Sequence, residues 1–117
     1  MISKELRHIF AQAISYAKSN HHEYLTLEHV FLMLINDATI EDMFIDLGVN
    51  TTTLFEELKT YIEENTPRLP EGIADEPIET LGLSSTIEYM VAHAQSSGKT
   101  KANVEGMFVA ILKDEKT

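Results

Sequence analysis

Residues 21–35 read HHEYLTLEHVFLMLI, a polar stretch that runs directly into an apolar one. Thr26 is the type of residue that caps a helix N-terminus, and Leu25 and Val30 flank it at the spacing of a hydrophobic staple. From Val30 to Ile35 the chain is apolar on every side, which is typical of a helix that is buried all round. This stretch therefore predicts the central helix of an all-α fold.

Three further helices are expected to pack around this central helix. Ser3 can cap an amphipathic helix of about residues 4–19, in which apolar residues recur every three or four positions. Thr39 is predicted to open a short third helix, and Asn50 is predicted to cap a fourth. Together they make a first helical unit.

An acidic, proline-containing segment follows this first unit. We place the first unit at residues 1–64, the linker at 65–82 and a second unit at 83–117, all within one domain. The linker contains all three prolines of the chain and four acidic residues, and its apolar residues show no helical period. It is expected to join two semi-independent units.

The second unit repeats the first at an offset of 77 residues, so that residues 6–35 align with 83–112 without a gap. Only five residues are identical, but the apolar register is kept and the predicted caps Thr26 and Asn103 coincide. Such a repeat indicates a duplicated unit that packs on its copy. A full second unit would end at about residue 141, so we expect a longer polypeptide and a second unit truncated at its C-terminus. Part of that unit's apolar face is then expected to be exposed or covered by another copy, around Met107, Phe108 and Ile111.

The charge balance argues against several partner classes. Nineteen acidic residues against nine Lys and Arg give a net charge of −10, which repels nucleic acid and anionic membrane surfaces. There is no apolar run of membrane-spanning length and no signal peptide, so we expect a cytoplasmic protein. The absence of Cys rules out thiol chemistry and disulfides.

Catalytic motifs are missing or incomplete. Gly98-Lys99-Thr100 resembles the end of a phosphate-binding loop, but His93 stands where that motif requires its first Gly. No nucleophile elbow of the G-x-S-x-G type is present. We therefore predict that the domain is non-catalytic and binds no cofactor of its own.

A histidine cluster keeps one alternative open. Residues 21–29 contain three histidines and two glutamates, and imidazole and carboxylate are zinc ligands. Neither the HExxH nor the HxxEH spacing is present. The alternative function is a small helical metal-binding enzyme or sensor that would use His21, His22, Glu23 and His29.

A docking patch is the other interpretation of the same loop. His22, Glu23, Tyr24 and Glu28 combine charge with an aromatic ring outside the apolar stripe. We expect these side chains to be exposed, as a site for a basic partner protein.

Three stretches carry a family resemblance: HHEYLTLEHVFLMLI, TPRLP at residues 66–70 and AHAQSSGK at residues 92–99. They closely resemble the N-terminal Clp repeat domain of ClpA-type AAA+ unfoldases, and the resemblance covers essentially the whole chain. It implies a pseudo-twofold pair of four-helix units. In one departure from that family, Gly82 stands where relatives begin the fifth helix with Ser, so we expect this helix to start at Ser84.

The resemblance also implies a function. The domain would dock a ClpS-type adaptor and substrate polypeptides ahead of ATP-binding modules, and the full-length protein would deliver the substrates to the ClpP protease. The adaptor-facing pattern of the family falls on His22, Glu23 and Glu28 in this sequence. Glu63 of the fourth helix lies near that patch in the family fold, and Tyr24 completes the predicted adaptor-binding set.

Overall fold

The computed structural model describes residues 2–73, 75–99 and 101–113. Six helices and two very short strands lie in these ranges, which confirms the all-α class. In chain order the elements are α1 (Lys4–Ser19), β1 (Tyr24–Leu25), α2 (Leu27–Ile35), α3 (Ala38–Asp46), α4 (Thr51–Asn65), β2 (Ile78–Glu79), α5 (Leu81–Ser96) and α6 (Val104–Leu112).

Side-chain caps fix where the helices begin. Ser3, Thr26, Asn50 and Asn103 each accept a hydrogen bond from a backbone N–H of the first turn, as the sequence predicts. Such caps satisfy donors that the helix itself leaves unpaired. Helix α3 differs from the prediction, because the Asp37 carboxylate takes the cap and the helix therefore begins one residue before Thr39.

The start of α5 also differs from the prediction. The Thr80 side chain accepts a hydrogen bond from the backbone N–H of Leu83, so α5 begins at Leu81 and not at Ser84. Gly82 lies inside the first turn and does not delay the helix. A cap two residues earlier outweighs the low helix propensity of one glycine.

The duplication is visible residue by residue. Shifting Lys4–Ser19 by the 77-residue offset gives Leu81–Ser96, and shifting Leu27–Ile35 gives Val104–Leu112. The second unit therefore reproduces both the lengths and the starts of α1 and α2. Within the described ranges it consists of these two helices.

The two units exchange short strands. Strand β1 pairs in parallel with β2, Leu25 opposite Glu79, and an isolated parallel bridge joins Ile2 to Ala102. Ile2 and Ala102 are the counterparts of Glu79 and Leu25 under the 77-residue offset. The segment before the first helix of each unit thus pairs with the loop before the second helix of the other, which is a pseudo-twofold arrangement.

Three residues of the linker, Pro67, Leu69 and Ile78, are hydrogen-bonded to the loop before α2. The Glu23 N–H donates to the Pro67 carbonyl at 2.8 Å, and the Leu69 N–H donates to the His21 carbonyl at 2.7 Å. On the other side of β1, the Ile78 N–H donates to the Glu23 carbonyl at 2.9 Å. These bonds satisfy backbone groups of the loop on either side of the buried His22.

Both units build one main apolar core. Leu6, Ala13 and Val30 of the first unit and Leu83 and Met107 of the second are fully buried in the same cluster. A smaller group lies outside that cluster, where α4 packs against α2, and consists of Leu32, Ile35 and Ile62. No helix in the described ranges is long and apolar enough to cross a membrane.

The end of α1 turns the chain sharply. His21 has φ 57, in the left-handed region, and the His22 N–H donates to the Ala17 carbonyl at 2.9 Å. This is the Schellman arrangement, whose left-handed position is usually glycine. At the counterpart position after α5, Gly98 has φ 79 and the same bonding pattern, in which the Lys99 N–H donates back into the helix.

We predict opposite effects of substitution at these two matched positions. His21→Gly is expected to raise the free energy of unfolding by about 1 kcal/mol, because glycine adopts positive φ without strain. Gly98→Ala is expected to lower it by about 1 kcal/mol, although a Cβ at Gly98 would meet nothing within 4 Å. Urea denaturation of the two variants and the native chain measures both changes in the free energy of unfolding. Effects of the same sign would contradict the assignment of His21 and Gly98 to matching left-handed positions.

Candidate functional site

His22 lies in the interior, so the expectation that its side chain is exposed is wrong. The side chain is 0% exposed. The left-handed turn at His21 reverses the chain, and an antiparallel bridge between His22 and Arg68 then covers the ring. The ring therefore points away from any partner and toward α2 and α4.

A hydrogen-bonded chain runs from the α2 cap through two imidazoles. The Thr26 N–H donates to Nδ1 of His29 at 3.0 Å, so this nitrogen carries no proton in the neutral ring. The proton of His29 is therefore on Nε2, which lies 2.9 Å from Nδ1 of His22 and donates to it. The pattern is a capping box in which His29 takes the place of the usual Glu or Gln.

The chain ends at the Glu63 carboxylate. Because Nδ1 of His22 accepts, its Nε2 carries the proton, and this atom lies 3.4 Å from Oε1 of Glu63. That separation is too long for a strong hydrogen bond, and Nε2 is buried without a better partner in the described structure. Glu63 itself accepts from Arg68 at 2.8 Å and from the Tyr16 hydroxyl at 3.3 Å.

Burial sets the charge states of this network. Desolvation, aided by the nearby His22, lowers the pKa of His29 to about 4. Desolvation and the Arg68 charge also lower the pKa of His22, against the opposing effect of Glu63. Burial acts to raise the pKa of Glu63, but the hydrogen bond from Arg68 and the charge of His22 outweigh it, and this pKa is lowered. Near neutral pH the imidazoles are neutral and the carboxylate is ionised.

The metal-site alternative finds no geometric support. Both nitrogens of His29 are occupied, one by Thr26 and the other by His22. His21 is exposed on the turn after α1. Over residues 2–73, 75–99 and 101–113, no three His, Cys, Asp or Glu side chains are placed to share a metal ion.

The accessible part of the predicted patch is smaller than expected. Glu23, Tyr24 and Glu28 are partly exposed, and we call these three residues the β1 surface. Glu28 lies in the first turn of α2, where the helix dipole favours a carboxylate. Of the five predicted site residues, only His22 is buried; Glu63 is partly exposed like the other three, and its carboxylate lies 3.4 Å from Nε2 of His22.

Some members of this network could have been predicted from local sequence patterns, and others could not. The Thr26 and His29 pairing has the spacing of a capping box, so it could have been found. Tyr16 and Arg68 join the network by hydrogen bonds to Glu63, and Tyr16 is 47 residues away from Glu63 in the chain. No local pattern indicates that contact.

The buried imidazoles should make stability depend on pH. The pKa of His29 falls from 6.5 in the unfolded chain to about 4 in the folded one, so the unfolded state binds more protons in this window and stability is lost as pH falls. In His29→Gln the amide can still accept from Thr26 but does not titrate. Between pH 6.5 and 4, the native chain is expected to lose about 3 kcal/mol more than His29→Gln.

Urea denaturation at a series of pH values measures this difference. His8→Gln is the matched control, because His8 is exposed on α1 and its loss should leave the pH dependence unchanged. An equal loss of stability in the native chain and in His29→Gln would show that the buried pair is not responsible.

Comparison with known proteins places the fold. Residues 1–117 match the family model of the Clp repeat (R) N-terminal domain. A ClpA homolog protein of Fuscovulum blasticum is 26% identical over 116 residues, which cover 98% of this chain. The chain spans only 15% of the length of that relative.

Two solved structures share the fold at low sequence identity. The N-terminal domain of Hsp104 from Candida albicans superposes with a TM-score of 0.86 at 12% identity, over 98% of this chain and 75% of that one. The ClpV N-domain in complex with a VipB peptide superposes with a TM-score of 0.76 at 15% identity. The match covers 98% of this chain and 69% of the ClpV chain. With the family match along its whole length, the chain belongs to the Clp repeat N-terminal domain family.

Proposed function

We propose that this chain is a docking domain of a Clp/Hsp100-type ATPase, which acts by reversible protein binding and not by catalysis. The observation that carries the proposal is the β1 surface, whose partly exposed side chains lie beside a backbone that is hydrogen-bonded to Pro67, Ile78 and Thr80. The ClpV N-domain, which has the same fold, is known in complex with a peptide. That complex supports peptide or protein binding as the role of the fold.

The backbone of β1 is held more firmly than a surface loop usually is. The N–H of Glu23, just before the strand, donates to the Pro67 carbonyl, and the N–H groups of Ile78 and Thr80 donate to the carbonyls of Glu23 and Leu25. Beneath it, the fully buried His22 is bonded to His29 at the start of α2. A fixed backbone loses little conformational entropy when a partner binds, so contacts made by Glu23, Tyr24 and Glu28 contribute more of their energy to affinity.

The chemistry of the β1 surface suits a partner with a basic, partly apolar face. It combines two carboxylates with the Tyr24 ring, and aromatic side chains are frequent anchors of protein interfaces. The net charge of −10 also attracts basic partners over a longer range. Within the proposed function, the buried His22 positions this surface, and the partly exposed residues Glu23, Tyr24, Glu28 and Glu63 make the contacts.

A ClpS-type adaptor is the specific partner we propose, with substrate polypeptides as its cargo. The ClpA name of the 26% identical relative supports this choice. In the same proposal, ATP is bound by modules outside this domain, ClpP receives the substrates from the full-length protein, and the protein acts in the cytoplasm.

The test is calorimetric titration of the chain with a ClpS-type adaptor at low and high salt. Saturable one-to-one binding that weakens with salt is expected, because charged docking is screened. Glu23→Lys is expected to reduce the affinity about tenfold at low salt, which corresponds to about 1.4 kcal/mol. Circular dichroism checks that the variant is folded.

Glu57→Lys is the matched control, with the same charge change on an exposed position of α4. Equal loss of affinity in the two variants would mean that only net charge matters and that the β1 surface is not the site. A folded native chain without measurable adaptor binding would overturn the choice of partner.

A further inference from the structure

An ion pair between Arg68 and Glu63 lies at the edge of the β1 surface. The Arg68 guanidinium donates from Nη2 to Oε2 of Glu63 at 2.8 Å. The backbone of Arg68 forms an antiparallel bridge with His22, and the residue before it, Pro67, accepts a hydrogen bond from the N–H of Glu23. A cation of the chain itself is therefore held beside a carboxylate that the proposed function assigns to the partner.

The two members of this ion pair are held with different firmness. The Arg68 side chain is 60% exposed, whereas that of Glu63 is 29% exposed. Oε1 of Glu63 accepts from the Tyr16 hydroxyl at 3.3 Å and lies 3.4 Å from Nε2 of His22. This Nε2 is buried without a hydrogen-bond partner in the described structure, so a carboxylate that moved away would leave a buried donor still further from an acceptor. Glu63 therefore stays in place, and Arg68 is the member that can turn into water.

The geometry of the ion pair also shows what could replace Arg68. The guanidinium makes its contact through one nitrogen and one oxygen, and not through the two parallel bonds that an arginine can form with a carboxylate. The other oxygen, Oε1, already faces the donors of Tyr16 and His22. A single contact of this kind suits the point charge of a lysine as well as an arginine. Oε2 of Glu63 is thus a site for one basic side chain of either type.

The charges around Arg68 make it an obstacle to a basic partner. Residues 60–98 contain seven acidic residues and a single Lys or Arg, which is Arg68. A basic partner that approaches Glu23 is attracted by this part of the chain except at Arg68, where it meets a like charge beside the surface it binds. Exposed ion pairs contribute little to stability, so the arginine can leave Glu63 at a small cost.

We infer that Arg68 occupies, in the free domain, the site on Glu63 that a lysine or arginine of the docking partner takes in the complex. Docking then exchanges one cation for another on the same carboxylate oxygen, and Arg68 competes with the partner. The inference rests on the proposed function, because it names how a basic partner is recognised at that same surface. Its consequence is selectivity, since a partner without a cation at the matching position leaves Arg68 in place and gains no contact with Glu63.

The first test is calorimetric titration of Arg68→Ala with the ClpS-type adaptor at low salt. This variant is expected to bind about threefold more tightly than the native chain, because no fraction of the Glu63 sites is blocked. Arg7→Ala is the matched control, since it removes an arginine that is exposed on α1. Both variants lose one positive charge, so a tighter complex in Arg68→Ala than in Arg7→Ala reports the Glu63 site and not the net charge.

A double-mutant cycle assigns the effect to Glu63. Glu63→Gln keeps an oxygen that can accept from Tyr16 but removes the charge, and it is expected to weaken adaptor binding about threefold. In the Glu63→Gln background, Arg68→Ala should give no gain beyond that of Arg7→Ala, because Arg68 then has no carboxylate to block. Urea denaturation checks that each variant is folded.

A second probe tests the exchange without the adaptor. It is an acetylated and amidated tetralysine peptide, titrated at low salt and followed by NMR. The peptide is expected to shift the amide signal of Glu63, with an affinity about threefold higher for Arg68→Ala than for Arg7→Ala. If the native chain does not bind the adaptor but tetralysine gives this result, the proposed partner is wrong and the exchange at Glu63 is supported.

Three outcomes would overturn the inference. Equal affinities of Arg68→Ala and Arg7→Ala for the adaptor, or for tetralysine where the adaptor does not bind, would mean that Arg68 blocks nothing. Weaker adaptor binding by Arg68→Ala would mean that Arg68 contacts the partner directly. A gain from Arg68→Ala that persists in Glu63→Gln would mean that the arginine acts by its charge alone.

Discussion

The fold depends on satisfying the backbone donors at the start of α2, since this helix is buried along most of its length. Thr26 and His29 do this reciprocally, and the other nitrogen of the same imidazole bonds to His22. The bond draws a polar residue of the preceding loop into the interior and leads on toward Glu63 of α4. Capping of the central helix α2 thus connects this helix to the loop before it and to α4.

The pseudo-twofold exchange of short strands makes the two units depend on each other. Leu25 pairs with Glu79, and the matching bridge joins Ile2 to Ala102, so neither unit completes its own loops. The shared core has the same consequence, because apolar residues of both units enter one cluster. The β1 surface lies at this exchange, which explains why Glu23, Tyr24 and Glu28 project from a fixed backbone.

Because the second unit repeats the first, the side chains at equivalent positions of the two units can be compared directly. Equivalent positions differ in their charge, because His93 and Lys99 stand in the second unit where the first has Tyr16 and His22. The surface around β1 is therefore not repeated in the second unit, where Thr100 and Lys101 stand at the positions of Glu23 and Tyr24.

The sequence by itself determined the helices, most of their caps and the 77-residue repeat, because these follow from local hydrogen bonding and apolar periodicity. The sequence did not decide the start of α3, since Asp37 and Thr39 are both good caps: Thr39 was predicted, and Asp37 caps the helix. Tertiary structure alone decided the burial of His22, which needs the left-handed turn at His21 and cover from Arg68, 46 residues later in the chain. The contact between Tyr16 and Glu63, 47 residues apart, was decided in the same way. Local patterns cannot specify which distant segments meet, because that choice is made by packing of the whole core.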